Sequence, residues 1–129
     1  MHTTIIATSL NEESKSQLLA RRFRDLLIEK GNEDTTFLDL RDLPLPLSGA
    51  SNSWEDPNVS IVSKSVQASS HIVFSVPVYC YDVNAVVKNV IELAGRSFAS
   101  KVVGFICSAG WGEPLHVCHV LCQSPHAGF

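Results

Sequence analysis

The chain has 129 residues, of which 45% are hydrophobic and 18% charged. That balance fits one globular domain with a single core and excludes a disordered chain. A net charge of −3 without a long basic run argues against nucleic acid and anionic membranes as partners. No apolar run approaches the roughly 20 residues that span a bilayer. The opening MHTTIIATSLNEES lacks the regions of a signal peptide, so a cytoplasmic protein is expected.

In chain order, residues 4–8 (TIIAT) are short, β-branched and apolar, and predict a buried strand. Residues 14–30 then predict a helix with Leu18, Leu19, Phe23, Leu26 and Leu27 on one face, stopped by Gly31. A second strand is expected over residues 35–40. The following RDLPLPLSG is a loop, because its two prolines exclude a helix and a central strand. Residues 58–68 predict a helix with Val59, Val62 and Val66 inward, and residues 72–76 a third strand that ends at Pro77. A helix over 84–93 presents Val86, Val87, Val90 and Ile91, and residues 101–107 form a fourth strand. Strands alternating with helices predict parallel pairing and an α/β sandwich.

Ligands of such sheets sit beyond the carboxyl ends of the strands, so three loops matter. The first, residues 8–16 (TSLNEESKS), has no glycine and is neither a Walker A loop nor a GxGxxG turn. Two readings of it stand. Ser9, Ser14 and Ser16 with the Asn11 amide surround a phosphate monoester at a helix N-terminus, or Ser14 is an N-cap and the rest are solvated. The second loop, residues 77–84 (PVYCYDVN), offers two tyrosines and backbone amides to a planar heterocycle, or packs them over the sheet edge. Cys80 is read as a wall of that pocket, since no histidine base accompanies it. The third, SAGWG at 108–112, is small enough for close backbone approach or for a tight turn. Asp39, Arg41 and Asp42 are read as solvated loop residues.

Taken in order, TSLNEESKSQLLA, LDLRDLPLP, PVYCYDVNAVVKNVIEL and KVVGFICSAG resemble the NADPH-dependent FMN reductase family over residues 4–112. The resemblance implies a flavodoxin-like three-layer α/β/α sandwich with a parallel sheet, its C-terminal strand and helix missing. It implies that Ser9, Asn11, Ser14 and Ser16 hold the FMN phosphate and that Pro77, Val78, Tyr79, Cys80 and Tyr81 line the isoalloxazine. Ser108, Ala109 and Gly110 would close the other side of the ring. FMN and NADPH are the implied cofactors, with a small electron acceptor and a homo-oligomer when full length. No catalytic acid–base residue is assigned, because the flavin carries the chemistry. Asn11 stands where the family often has arginine, Ser16 and Cys80 where it often has asparagine, and Ala85 where it usually has glycine. Alternatives to a reductase are a flavodoxin-type electron carrier and a truncated, inactive fragment.

Residues 113–129 form an atypical tail beside the domain at 1–112. Four cysteines (Cys80, Cys107, Cys118, Cys122) are too sparse for a secreted disulfide framework. In the tail, HxCHxxC (His116, Cys118, His119, Cys122), with His126 beyond, lacks the paired spacing of a zinc site, so no metal is assigned. Read one nucleotide later, with permissible codons, the bases of 111–129 give a glycine turn, a helix-like pattern and an apolar strand start. The native frame is therefore expected to be lost near residues 110–112. A chain ending at Phe129 leaves the fourth strand at an edge, with Val103, Phe105 and Ile106 short of cover.

Overall fold

The computed structural model describes residues 1–32 and 34–110. The expectations on the tail, its reading frame and its histidines and cysteines lie outside the described residues.

The sheet is built on β1 (Thr3–Ala7), which pairs in parallel with β2 (Thr35–Asp39) on one side and β3 (His71–Tyr79) on the other. β5 (Val102–Ser108) continues the parallel array beyond β3. The resulting order, β2-β1-β3-β5, is the flavodoxin-like one, in which the chain reverses direction across the sheet between β1 and β3. Ile5 and Ile6 are neighbours and point to opposite faces, yet both are 0% exposed. Each face must therefore be covered. Helix α1 (Lys15–Glu29) covers one, with Ala20, Phe23 and Leu27 packed on Ile5, Ala7 and Val73. Helices α2 (Pro57–Ala68) and α3 (Ala85–Ala94) cover the other, over Ile6, Ile72, Phe74 and Val76.

Helix boundaries follow from local chemistry. Ser14 caps α1 by accepting from the Gln17 N–H. At the other end Gly31, at φ 83°, lets its own N–H reach the Ile28 carbonyl and the Asn32 N–H the Leu27 carbonyl. That pairing is the Schellman arrangement, and it needs the left-handed backbone that glycine tolerates. Asp56 caps α2 ahead of Pro57, and Val59, Val62 and Val66 face inward as expected. The proline loop is pinned rather than loose. The Asn89 side chain accepts from the Ser48 N–H and donates to the Pro46 carbonyl, and Asn58 donates to the Pro44 carbonyl.

Four expectations change. Leu18 and Leu19 are exposed, at 69% and 44%. Ser16, Gln17 and Ala20 are the buried residues of the helix in their place. Strand β3 does not end at Pro77 but runs on to Tyr79. The Ser75 carbonyl accepts from the Thr8 N–H, so Pro77, two residues on, turns its nitrogen to the same side, past the end of β1. No ladder hydrogen bond is lost there. Residues 77–84 are a hairpin rather than a loop: a short β4 (Asp82–Val83) pairs antiparallel with Val78 and Tyr79. Finally, Val103 is exposed, but Phe105 is half-buried and stacks on Phe74 at 5.6 Å between centroids.

Candidate functional site

Strand register brings the three loops to one edge of the sheet. Ala7 is level with Ser75, and Pro77 is level with Ser108. The segment after β1, the hairpin after β3 and the turn after β5 therefore leave adjacent strands at the same end. This is the end of the sheet at which the strand order reverses.

In the first loop Ser9, Ser14 and Ser16 are buried and Asn11 is exposed. Ser9 Oγ accepts from the Asn11 N–H at 3.3 Å, and Asn11 Oδ1 accepts from the Glu13 N–H at 3.0 Å. The Ser14 and Ser16 hydroxyls are 2.8 Å apart. One proton serves that pair, so one hydroxyl proton remains without a protein acceptor among the described residues. The Lys15 and Ser16 N–H groups, first in α1, have no carbonyl one turn back within the helix. Ser14 is thus an N-cap, as one of the two readings has it, and the N–H groups of Lys15 and Ser16 stand at the helix N-terminus. Glu12 and Glu13 are exposed.

The second loop is a two-residue turn. Cys80 and Tyr81 have φ of 51° and 64°, which makes it a type I′ turn, usually occupied by Asn-Gly. The expected asparagine position is thus a left-handed one, and Cys80 holds it with strain. Pro77 is buried and Val78 half-buried, whereas Tyr79 and Tyr81 are 53% and 81% exposed. The tyrosines stand on the surface instead of packing over the sheet. Ser108 and Ala109 are half-buried, and Gly110 is exposed.

Two further sets of residues at this edge were not among the expected site residues. Asp39, expected in solvent, is 7% exposed and accepts from Gln17 Nε2 at 2.8 Å, Arg41 Nη2 at 2.6 Å and Arg21 Nη2 at 3.3 Å. Burial pushes its carboxyl up, but the Arg41 hydrogen bonds and charge, with Gln17, outweigh burial and hold it below the ordinary value. The Arg41 guanidinium is raised in turn, chiefly by Asp39, with Asp42 and Glu12 adding to it. Arg41 thus places positive charge within electrostatic reach of the acidic first loop. The second set is Thr8 and Asn84, both buried and bonded to each other. A separate open groove of about 670 Å³, lined by Trp54, Gln67, Glu92 and Arg96 among others, contains none of the expected site residues.

Fold and loop placement define a flavodoxin-like α/β domain with the buried serine loop at the β1/β3 switch point. Residues 1–123 match the family described as NADPH-dependent FMN reductase, and the chain belongs to that family. No curated protein sequence matches it. Among solved structures it is similar to FerB, a flavoenzyme NAD(P)H:(acceptor) oxidoreductase from Paracoccus denitrificans. The identity is 20% and the TM-score 0.74, over 93% of this chain and 68% of FerB. It is also similar to RosB with bound 8-demethyl-8-formylriboflavin-5'-phosphate, at 13% identity and TM-score 0.74, over 95% of this chain and 57% of RosB. A putative quinone reductase from Klebsiella pneumoniae matches at 14% identity and TM-score 0.66, over 85% of this chain and 60% of that one. The chain therefore spans 57% to 68% of the length of these relatives.

Proposed function

We propose that the chain is the flavin-holding part of an NAD(P)H-dependent flavin oxidoreductase, with FMN at the edge where β1, β3 and β5 end. The single observation that supports this most is the register that sets the buried serine loop, the Pro77–Tyr81 hairpin and Ser108 side by side at the switch point. Ser9, Ser14 and Ser16, with the first N–H groups of α1 and the Asn11 side chain, would hold the phosphate. Pro77, Val78, Tyr79, Cys80 and Tyr81 would flank one side of the ring and Ser108, Ala109 and Gly110 the other. FMN, when bound, supplies hydride and electron transfer from NAD(P)H to a flavin, quinone or similar acceptor. The residues themselves bind and orient: hydroxyls and amides meet the phosphate, the pyrrolidine and aromatic side chains exclude water from the ring, and Arg41 offsets Glu12.

The test is titration of FMN by fluorescence quenching, on this chain and on a version with the frame after residue 110 restored. Stoichiometric quenching followed by steady NADPH oxidation with added quinone is expected of the restored chain. Photoreduction without NADPH turnover would favour an electron carrier instead. Binding by the restored chain alone would make this chain an inactive fragment and support the reading of 113–129 as out of frame. Absence of binding by both would refute the proposal.

A further inference from the structure

We infer that Asn84 is a positioning residue whose side chain locks the loop after β1 to the hairpin after β3, so that phosphate and ring meet one preset frame. The inference rests on the FMN reading above.

Asn84 occupies the N-cap position of α3, with φ −66° and ψ 156°, yet its side chain makes no cap bond. An asparagine there ordinarily accepts from an N–H in the first turn and stabilises its own helix. Here the amide is used elsewhere. Nδ2 donates to the Thr8 carbonyl at 2.8 Å, and Oδ1 lies 3.0 Å from Thr8 Oγ1, which donates to it. The reverse amide orientation would set two oxygens against each other, so the assignment is fixed by its partners. Thr8 Oγ1 also lies 2.9 Å from the Ser75 carbonyl, and one hydroxyl proton is shared between the two acceptors. The Thr8 N–H donates to the same Ser75 carbonyl at 3.0 Å.

Thr8 and Asn84 are 0% and 7% exposed, so water does not replace a missing partner at low cost. They are 76 residues apart in the chain. Thr8 precedes Ser9 and the phosphate loop; Asn84 closes the hairpin that carries Tyr79, Cys80 and Tyr81. A second tie runs in parallel, from Ser75 Oγ to the Ser16 carbonyl at 2.7 Å. The Ser75 bond fixes the loop to the strand, whereas among the described residues only the Asn84 bonds fix it to the hairpin beyond the strand. Their function is preorganisation: a ligand that touches both loops gains from having their spacing set before it arrives.

The experiment compares FMN with riboflavin, which has the ring and no phosphate. The ratio of the two Kd values reports what the phosphate adds once the ring is seated. In Asn84→Ala the ratio is expected to fall about tenfold, as loss of a buried hydrogen-bonded pair implies, while riboflavin binding stays within about twofold. Thr8→Val removes the hydroxyl but keeps the Nδ2 bond to the Thr8 carbonyl, and is expected to lower the ratio about threefold. An unchanged ratio in folded Asn84→Ala overturns the inference, as does an equal loss for both ligands, which would make the residue merely structural. Should Asn84→Ala fail to fold, Thr8→Val reads the same ratio, and an unchanged value there overturns it too. If the unsubstituted protein binds neither ligand, the FMN reading itself falls.

Discussion

Replacing Asp39 by alanine removes the acceptor on which Gln17, Arg21 and Arg41 converge. Gln17 is 4% exposed, so its Nε2 donor is left dry and unpaired, at about 1–3 kcal/mol. The arginine side chains are 44% and 27% exposed and regain water, so their lost ion pairs add only about 1 kcal/mol. The expected loss is about 2–4 kcal/mol, a large part of the roughly 5–15 kcal/mol that holds a domain together. Urea unfolding followed by circular dichroism at pH 7 reads it as a lowered midpoint at constant m. The pH dependence has a definite sign. The Asp39 carboxyl is lowered in the folded state, so its contribution is complete above the unfolded value near ~3.9. It is lost as pH falls through the folded value. The gap between the wild type and D39A therefore narrows below about pH 4. A gap under about 1 kcal/mol at pH 7, or one that widens in acid, would refute the account of Asp39 as a paired buried anion.

Three further outcomes are expected. Cys80→Asn with Tyr81→Gly puts the preferred residues into the type I′ turn and raises stability by about 1–2 kcal/mol; an unchanged urea midpoint would contradict the left-handed backbone at both positions. Ser14→Ala loses the cap of α1, about 1 kcal/mol, and also weakens FMN binding, with melting and quenching measured on the same sample. Phe74→Ala opens a cavity where the ring now lies between Phe98 at 5.7 Å and Phe105 at 5.6 Å, and costs about 3–5 kcal/mol, read as a lowered thermal midpoint.

The order of strands and helices was legible because β-branched runs and 3.6-residue periods are local signals, and Gly31 stops α1 through its own backbone. Val59, Val62 and Val66 were placed correctly for the same reason. The hairpin escaped because Cys80-Tyr81 is not the Asn-Gly pair that announces such a turn, and because proline reads as a strand end when its neighbours are unknown. Leu18 and Leu19 were misplaced because periodicity marks an apolar face without showing which part of it another element covers. Asp39 looked solvated because its partner Gln17 lies 22 residues earlier. The serine loop was expected as a site region from its hydroxyls and its place after β1, but which of its donors are already engaged emerges only from the folded geometry.

The placement of β1 also bears on how the molecule comes together. Its partners, β2 and β3, both follow it in the chain, and its registers join Thr3 to Thr35 and Thr3 to His71. During synthesis β1 is made before either neighbour exists, with Ile5 and Ile6 facing opposite sides of a sheet not yet formed. No local hairpin shelters it, since parallel neighbours require a crossover. Closure of such long loops precedes the contacts that reward it, so folding is slow compared with that of a helical domain of similar length. Until β3 arrives, the strand at the centre of the finished sheet is an unpaired apolar edge open to aggregation.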